Sequence, residues 1–148
     1  MEFIKYNANP KRVKTSDCFV RAITLALDTD WIEVYRDLAD IGYRRHRMLC
    51  DKKVTEEYLN NKGLVKQRLP RKENNKRYTV EEFIDTFAEN NKTYLLGLTR
   101  HLTVVIDKVL VDTWNCKEKC VINYFELDTV KPLNERVLED KKKRLRRR

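Results

Sequence analysis

The sequence is poor in residues that interrupt regular structure, with only three Gly and three Pro among 148 residues. That scarcity argues against a fold dominated by loops. No apolar run approaches the roughly 20 residues that span a bilayer, and we expect no membrane partner. The N-terminus also lacks the apolar core of a secretion signal, which predicts a cytoplasmic location, or the host cytoplasm for a viral protein. The length is typical of one folded domain.

Acidic residues are absent from the last eight positions, KKKRLRRR, which contain seven of the chain's cationic side chains. This segment accounts for most of the net charge of +9, so the remainder is only mildly basic. We predict a folded domain over residues 1–130 and a basic tail over 131–148 whose end is disordered, because like charges repel. The tail is expected to add weak, nonspecific affinity for nucleic acid through counterion release.

Apolar spacing predicts helices in the first part of the chain and strands in the second. The helices are expected at residues 17–27, 28–48, 53–63 and 79–91, the last with a capping box of Thr79 and Glu82. Strands are expected at 2–6, 93–99, 101–107, 108–114 and 120–128. This order predicts an α+β fold with N-terminal helices packed against a C-terminal antiparallel sheet.

Cysteine is also scarce, and one of the four, Cys18, lies where the first helix begins. If Thr15 or Ser16 caps that helix, Cys18 is near its N-terminus, and it is the third helical residue if Thr15 is the cap. Free N–H groups and the helix dipole there would stabilise a thiolate and an oxyanion on a bound acyl group. The alternative is a small buried cysteine that only packs.

Only two histidines are present, and they differ in context. His46 lies among arginines near a predicted helix end, which is typical of a solvated side chain. His101 opens a strongly β-forming run. A histidine in a strand can be structural or can serve as a general base.

A hairpin after His101 would supply that histidine with an acidic partner. A two-residue turn at Asp107 and Lys108 pairs Ile106 with Val109. Because side chains alternate along a strand, one face of the hairpin then holds four side chains, His101, Thr103, Asp112 and Trp114. His101 and Asp112 are diagonal neighbours in this register, whereas Asn115 falls on the opposite face. Trp114 is expected either to shield the His–Asp contact from water or only to pack.

A thiolate, an imidazole and a carboxylate can together carry out nucleophilic acyl transfer. Cys18, His101 and Asp112 fit these three roles in that order. The chain resembles papain-like cysteine peptidases, especially small bacterial and phage members, through three short motifs: Asp17-Cys18, His101 and Asp112-Thr113-Trp114. The resemblance extends over most of residues 17–125.

The resemblance implies a papain-like fold in which Cys18 is the nucleophile, His101 the general base and Asp112 the third member of a triad. It implies a peptide or isopeptide bond in a protein or peptide substrate, and no cofactor. Such enzymes commonly carry a Gln before the cysteine that helps to bind the oxyanion, but no Gln precedes Cys18. Asn7, Asn9 and the Cys18 backbone N–H are candidate replacements.

Other interpretations remain open at this point. The C-x3-C pair of Cys116 and Cys120, completed by His46 and Cys50, could bind structural zinc; otherwise we interpret Cys116 and Cys120 as ordinary strand or turn thiols. A noncatalytic nucleic-acid-binding or interaction protein is a further alternative, as is a homologue that has lost its activity.

Overall fold

The computed structural model describes residues 1–146, in which four helices precede a run of four strands, as expected, with a short strand before the first helix and a fifth helix at the end. The helices are α1 (Cys18–Leu27), α2 (Trp31–Arg45), α3 (Lys52–Asn61), α4 (Val80–Thr86) and α5 (Leu133–Arg146). The strands are β1 (Glu2–Lys5), β2 (Gln67–Arg68), β3 (Lys92–Leu98), β4 (His101–Ile106), β5 (Val109–Asp112) and β6 (Asn123–Asp128). The predicted α+β class is confirmed, and sequence patterning missed only the two-residue β2 and the helix α5.

The predicted capping box starts α4. The Thr79 hydroxyl accepts a hydrogen bond from the Glu82 N–H at 3.2 Å, and the Glu82 carboxylate accepts one from the Thr79 N–H at 3.2 Å. Both bonds satisfy N–H groups that the first turn of a helix leaves without an internal partner. The N–H groups of Val80 and Glu81 at the same end bond to the carbonyls of Lys119 and Lys117, so a local device and a distant loop together fix the start of α4.

The six strands form one sheet in the order β1-β5-β4-β3-β6-β2. The pairs β3–β4, β3–β6, β4–β5 and β2–β6 are antiparallel, but β1 lies parallel to β5. The sheet is therefore mixed, and the prediction of an antiparallel sheet was wrong at this edge. The N-terminal strand has no hairpin partner next to it in sequence, so nothing local determined its direction.

Apolar side chains cover both faces of the sheet because neighbouring residues in a strand point to opposite sides. Leu95 and Val104 belong to the cluster that includes the buried side chains of α1, α2 and α3. Leu96 and Val105 belong to a second cluster with Val80, Phe83 and Ile84 of α4. The sheet is thus packed between helices, with α1 lying over β4 and β3.

The basic C-terminal segment forms α5 and does not begin as a disordered tail. Leu133 and Arg136 are buried, and Lys131 and Glu139 form an ion pair at 2.5 Å. The predicted disorder is wrong for residues 141–146, because they continue α5. Acidic residues earlier in the helix offset part of its positive charge. Arg147 and Arg148, which the prediction also included, lie outside the described residues.

Among the helices of residues 1–146, none combines the length and the apolar character needed to cross a membrane.

Candidate active site

The β4–β5 hairpin adopts the predicted register. Ile106 pairs with Val109 and Val104 with Val111, which leaves Asp107 and Lys108 as the two-residue turn. Both turn residues have positive φ, 51° and 66°, as a type I′ turn requires. The hairpin consequently brings the start of β4 beside the end of β5.

His101 and Asp112 meet at this junction. Nε2 of His101 lies 2.6 Å from a carboxylate oxygen of Asp112, and the Thr103 hydroxyl donates to the same oxygen at 2.7 Å. The other carboxylate oxygen accepts the Thr113 backbone N–H at 2.6 Å. The structure thus confirms the predicted contact of His101 with Asp112. This contact fixes the orientation of the imidazole ring through its Nε2 atom.

Burial and hydrogen bonding act in opposite directions on these two groups. Burial opposes the charged form of His101, but hydrogen bonds with Asp112, Cys116 and Cys18 outweigh burial and raise the pKa of His101 to about 11. Burial likewise favours the neutral form of Asp112, yet the bonds from His101 and Thr103 lower the pKa of that carboxyl below its ordinary value. At neutral pH the pair is therefore an imidazolium beside a carboxylate.

Cys18 is partly buried and is the first residue of α1. The prediction that Thr15 or Ser16 caps the helix was wrong: Asp17 is the N-cap residue, and Cys18 is therefore not the third helical residue. Cys18 lines a small cavity together with Asp112 and Arg21 and is close enough to His101 to contribute to the raised pKa of that ring. Asp112 holds Nε2 of the same ring. Sequence elements more than eighty residues apart are thus brought together as predicted.

The start of α1 is set by buried contacts of Asp17. One of its carboxylate oxygens accepts hydrogen bonds from the Asn9 amide at 3.1 Å and the Trp31 indole at 3.0 Å. The other lies 2.8 Å from Nε of Arg21. The side chain makes no capping bond to its own helix, because these more distant partners occupy it.

Arg21 is a site residue that the sequence analysis missed. Its guanidinium donates to the Thr113 hydroxyl at 2.9 Å and lies 3.6 Å from Asp112. It therefore links the residue before Cys18 to the carboxylate that holds His101. The i,i+4 spacing from Asp17 was visible in the sequence, but the link to β5 depends on how α1 packs on the sheet.

Cys116 is the second missed residue. It is buried, and its thiol lies 3.8 Å from the Asp112 carboxylate, so its interpretation as an ordinary turn thiol was incomplete. Within residues 1–146, the single cluster with metal-ligand geometry is His101, Asp112 and Cys116. The zinc site considered from the sequence, with His46, Cys50 and Cys120, is not assembled there.

The two tryptophans differ in role. The Trp114 ring lies 5.1 Å from the His101 ring, centroid to centroid, and is 42% exposed, so it covers the imidazole on its solvent side. Trp31 is half-buried, stacks on Tyr35 and bonds to Asp17. Its indole N–H thus supports the loop that precedes Cys18, in addition to packing.

The backbone at the start of α1 offers hydrogen-bond donors beside the thiol. Within the described residues, the N–H groups of Cys18, Phe19 and Val20 have no backbone or side-chain acceptor. Asn9 is buried, its amide donates to Asp17 and its carbonyl accepts from the Lys11 N–H. The Cys18 N–H therefore fits the oxyanion role better than Asn9.

A small cavity of about 70 Å³ adjoins His101 and the residue after Cys18. Its wall combines apolar side chains with polar and charged ones; the apolar residues are Phe19, Leu98, Leu102, Ile122 and Phe125, and the others include Lys52, Thr55, Glu56, Lys66 and Asn123. The volume is well below the roughly 300 Å³ of a small ligand pocket, so the cavity can hold no more than one small group beside His101.

Comparison of the chain with protein families, with characterised proteins and with solved structures finds no significant similarity.

Proposed function

We propose that this protein is a cysteine peptidase-like hydrolase with a papain-like arrangement, acting on peptide or isopeptide bonds. The observation that carries the proposal is the convergence of Cys18, His101 and Asp112. A thiol at a helix start lies near an imidazole whose Nε2 is held by a buried carboxylate at 2.6 Å. Nucleophile, base and orienting group have this relation in thiol-dependent acyl transfer.

In the first half of the reaction, the Cys18 sulfur attacks the substrate carbonyl carbon and the C=O bond becomes a C–O⁻ single bond. The Cys18 N–H is placed to donate to this oxyanion. The C–N bond then breaks, and the imidazolium of His101 gives its proton to the leaving amine. The product of this half is a thioester on Cys18 and a free amine.

In the second half, neutral His101 takes a proton from water as the oxygen attacks the thioester. The C–S bond breaks, a carboxylic acid leaves, and the proton on His101 restores the imidazolium beside the Cys18 thiolate. Asp112 holds the ring and favours its charged form in both halves. Arg21 is a positioning residue, because it contacts Asp112 and Asp17 and not the reacting atoms.

The decisive test is the relative rate at which the four cysteines are alkylated. Iodoacetamide at neutral pH, followed by peptide mass spectrometry, should modify Cys18 at least tenfold faster than Cys50 and Cys120. These two thiols are exposed whereas Cys18 is partly buried, so accessibility alone predicts the opposite order. His101→Ala should abolish the advantage of Cys18, because the imidazolium is then lost.

Equal labelling of the three thiols, or protection of Cys18, would contradict the proposal. A panel of peptide and ubiquitin-like vinyl-sulfone probes would then identify the substrate class from any adduct on Cys18. Cys18→Ser serves as the matched control, since it keeps the size of the side chain and removes the thiol.

A further inference from the structure

An open, strongly basic cleft of about 660 Å³ lies beside the N-terminal loop. The loop, α1, β1 and α5 all contribute to its wall. The cationic side chains that line it are Lys5, Arg12, Lys14, Arg21, Lys141 and Arg144. We call this surface the basic cleft.

Most of this positive charge is uncompensated. The only acidic side chain that lines the basic cleft is Asp17, which is buried and already bound by Asn9, Trp31 and Arg21. Four of the cations, Lys5, Arg12, Lys14 and Lys141, are exposed and form no ion pair within residues 1–146. Clustered cations without counter-charges in a concave surface attract an anionic ligand.

The C-terminal helix forms one wall of the basic cleft through specific contacts. Arg144 donates to the Asn7 carbonyl at 2.7 Å, lies over the Tyr6 ring at 5.1 Å and pairs with Asp140 at 2.6 Å. These contacts hold α5 against the loop, so that Lys141, one turn earlier, faces the same cleft as Lys14. The basic segment is therefore part of a built surface.

The basic cleft reaches the candidate active site. Arg21 lies in its wall and bonds to both Asp17 and Thr113, which are the residues next to Cys18 and Asp112 in sequence. An anionic chain lying in the cleft would thus contact residues that are adjacent in sequence to Cys18 and Asp112. The small cavity beside His101 shares no lining residue with the basic cleft.

We infer that the basic cleft binds an acidic segment of the polypeptide substrate, next to the bond that Cys18 attacks. This inference rests on the proposed function. The lining favours carboxylates over nucleic acid, because the one aromatic ring there, Tyr6, is half-buried under Arg144 and cannot stack on a base.

Binding to an inactive variant tests the inference directly. Fluorescence anisotropy would compare a labelled peptide of about ten glutamates with a labelled oligothymidylate of the same length, both on Cys18→Ala. The glutamate peptide should bind, and the double change Arg12→Glu and Lys14→Glu should weaken its binding about tenfold or more, because two attractions become repulsions. The matched control, Lys76→Glu with Arg77→Glu, changes the charge equally in an exposed loop outside the basic cleft and should leave the affinity within about twofold.

Three results would overturn the inference: no binding of the glutamate peptide, equal weakening by the control pair, or tighter binding of the oligothymidylate. Because the assay uses Cys18→Ala, it does not depend on catalysis. Failure of the alkylation test on the wild-type chain would remove the proposed hydrolase, whereas failure of the anisotropy test would remove only the acidic substrate.

Discussion

Replacing Asp112 by Asn tests the electrostatics of the candidate site while preserving the size of the side chain. Nε2 of His101 lies 2.6 Å from the carboxylate, and this contact is a main reason that the pKa of His101 rises to about 11 against the effect of burial. Without the negative charge, burial dominates, and we expect the pKa of His101 to fall to its ordinary value near 6.5 or below. Each pKa unit corresponds to about 1.4 kcal/mol, so the imidazolium loses several kcal/mol of stabilisation.

The assay is an NMR titration of the histidine ring protons. The chain has only two histidines, and the exposed His46 supplies an internal reference signal. In the wild-type protein the His101 signal should keep its protonated shift well above pH 8, and in Asp112→Asn it should titrate near or below pH 6.5. Loss of the protonated form should also slow alkylation of Cys18 in the variant at pH 8. A wild-type His101 that titrates near pH 6.5, or a variant with the same pKa as the wild type, would refute the reasoning.

The same pair predicts how stability depends on pH. Because the pKa of His101 is raised on folding, its contribution to the free energy of unfolding is complete below about pH 6.5 and is lost as the pH rises through about 11. For Asp112, whose pKa is lowered on folding, the contribution is present above the ordinary value of 3.8 and is lost as the pH falls further. In urea denaturation, the free energy of unfolding of the wild type should be lower at pH 10 than at pH 7. The same difference should be much smaller in Asp112→Asn.

Two further substitutions test the fold around the site. Thr79→Ala removes the hydroxyl of the capping box and should lower the free energy of unfolding, measured by urea denaturation, by about 1 kcal/mol. The control Thr86→Ala, at the exposed end of α4, should change that free energy by less than half as much. Equal effects of the two substitutions would contradict the capping argument. Gly42→Ala places a methyl group 2.5 Å from the backbone oxygen of Arg47 and should destabilise the protein by about 1–3 kcal/mol, because the loop after α2 must move. An unchanged thermal midpoint for Gly42→Ala would show that this loop moves without cost.

The features that the sequence predicted best are those that local rules determine. The Thr79–Glu82 box is set by residues three apart, and the hairpin register follows from strand alternation and a two-residue turn. That register by itself predicts that His101 lies beside Asp112. These positions needed no knowledge of how distant elements pack.

The features that sequence reasoning missed depend on distant contacts. Asp17, and not Thr15, precedes the first turn of α1 because its carboxylate is drawn to Asn9, Trp31 and Arg21. The parallel placement of β1 depends on β5, more than a hundred residues later. The like-charged C-terminal segment is helical because Leu133 and Arg136 are buried against the domain. No rule based on neighbouring residues contains this information.

The two outer strands of the sheet also affect how the molecule behaves at high concentration. β1 is only four residues long with Glu2 and Lys5 exposed at its ends, and β2 consists of the two exposed residues Gln67 and Arg68. Short, charged edge strands expose few unpaired backbone N–H and C=O groups to which a strand of another chain could bond. The native protein is therefore protected against amyloid-like growth from either side, although its centre consists of long, apolar β-forming segments.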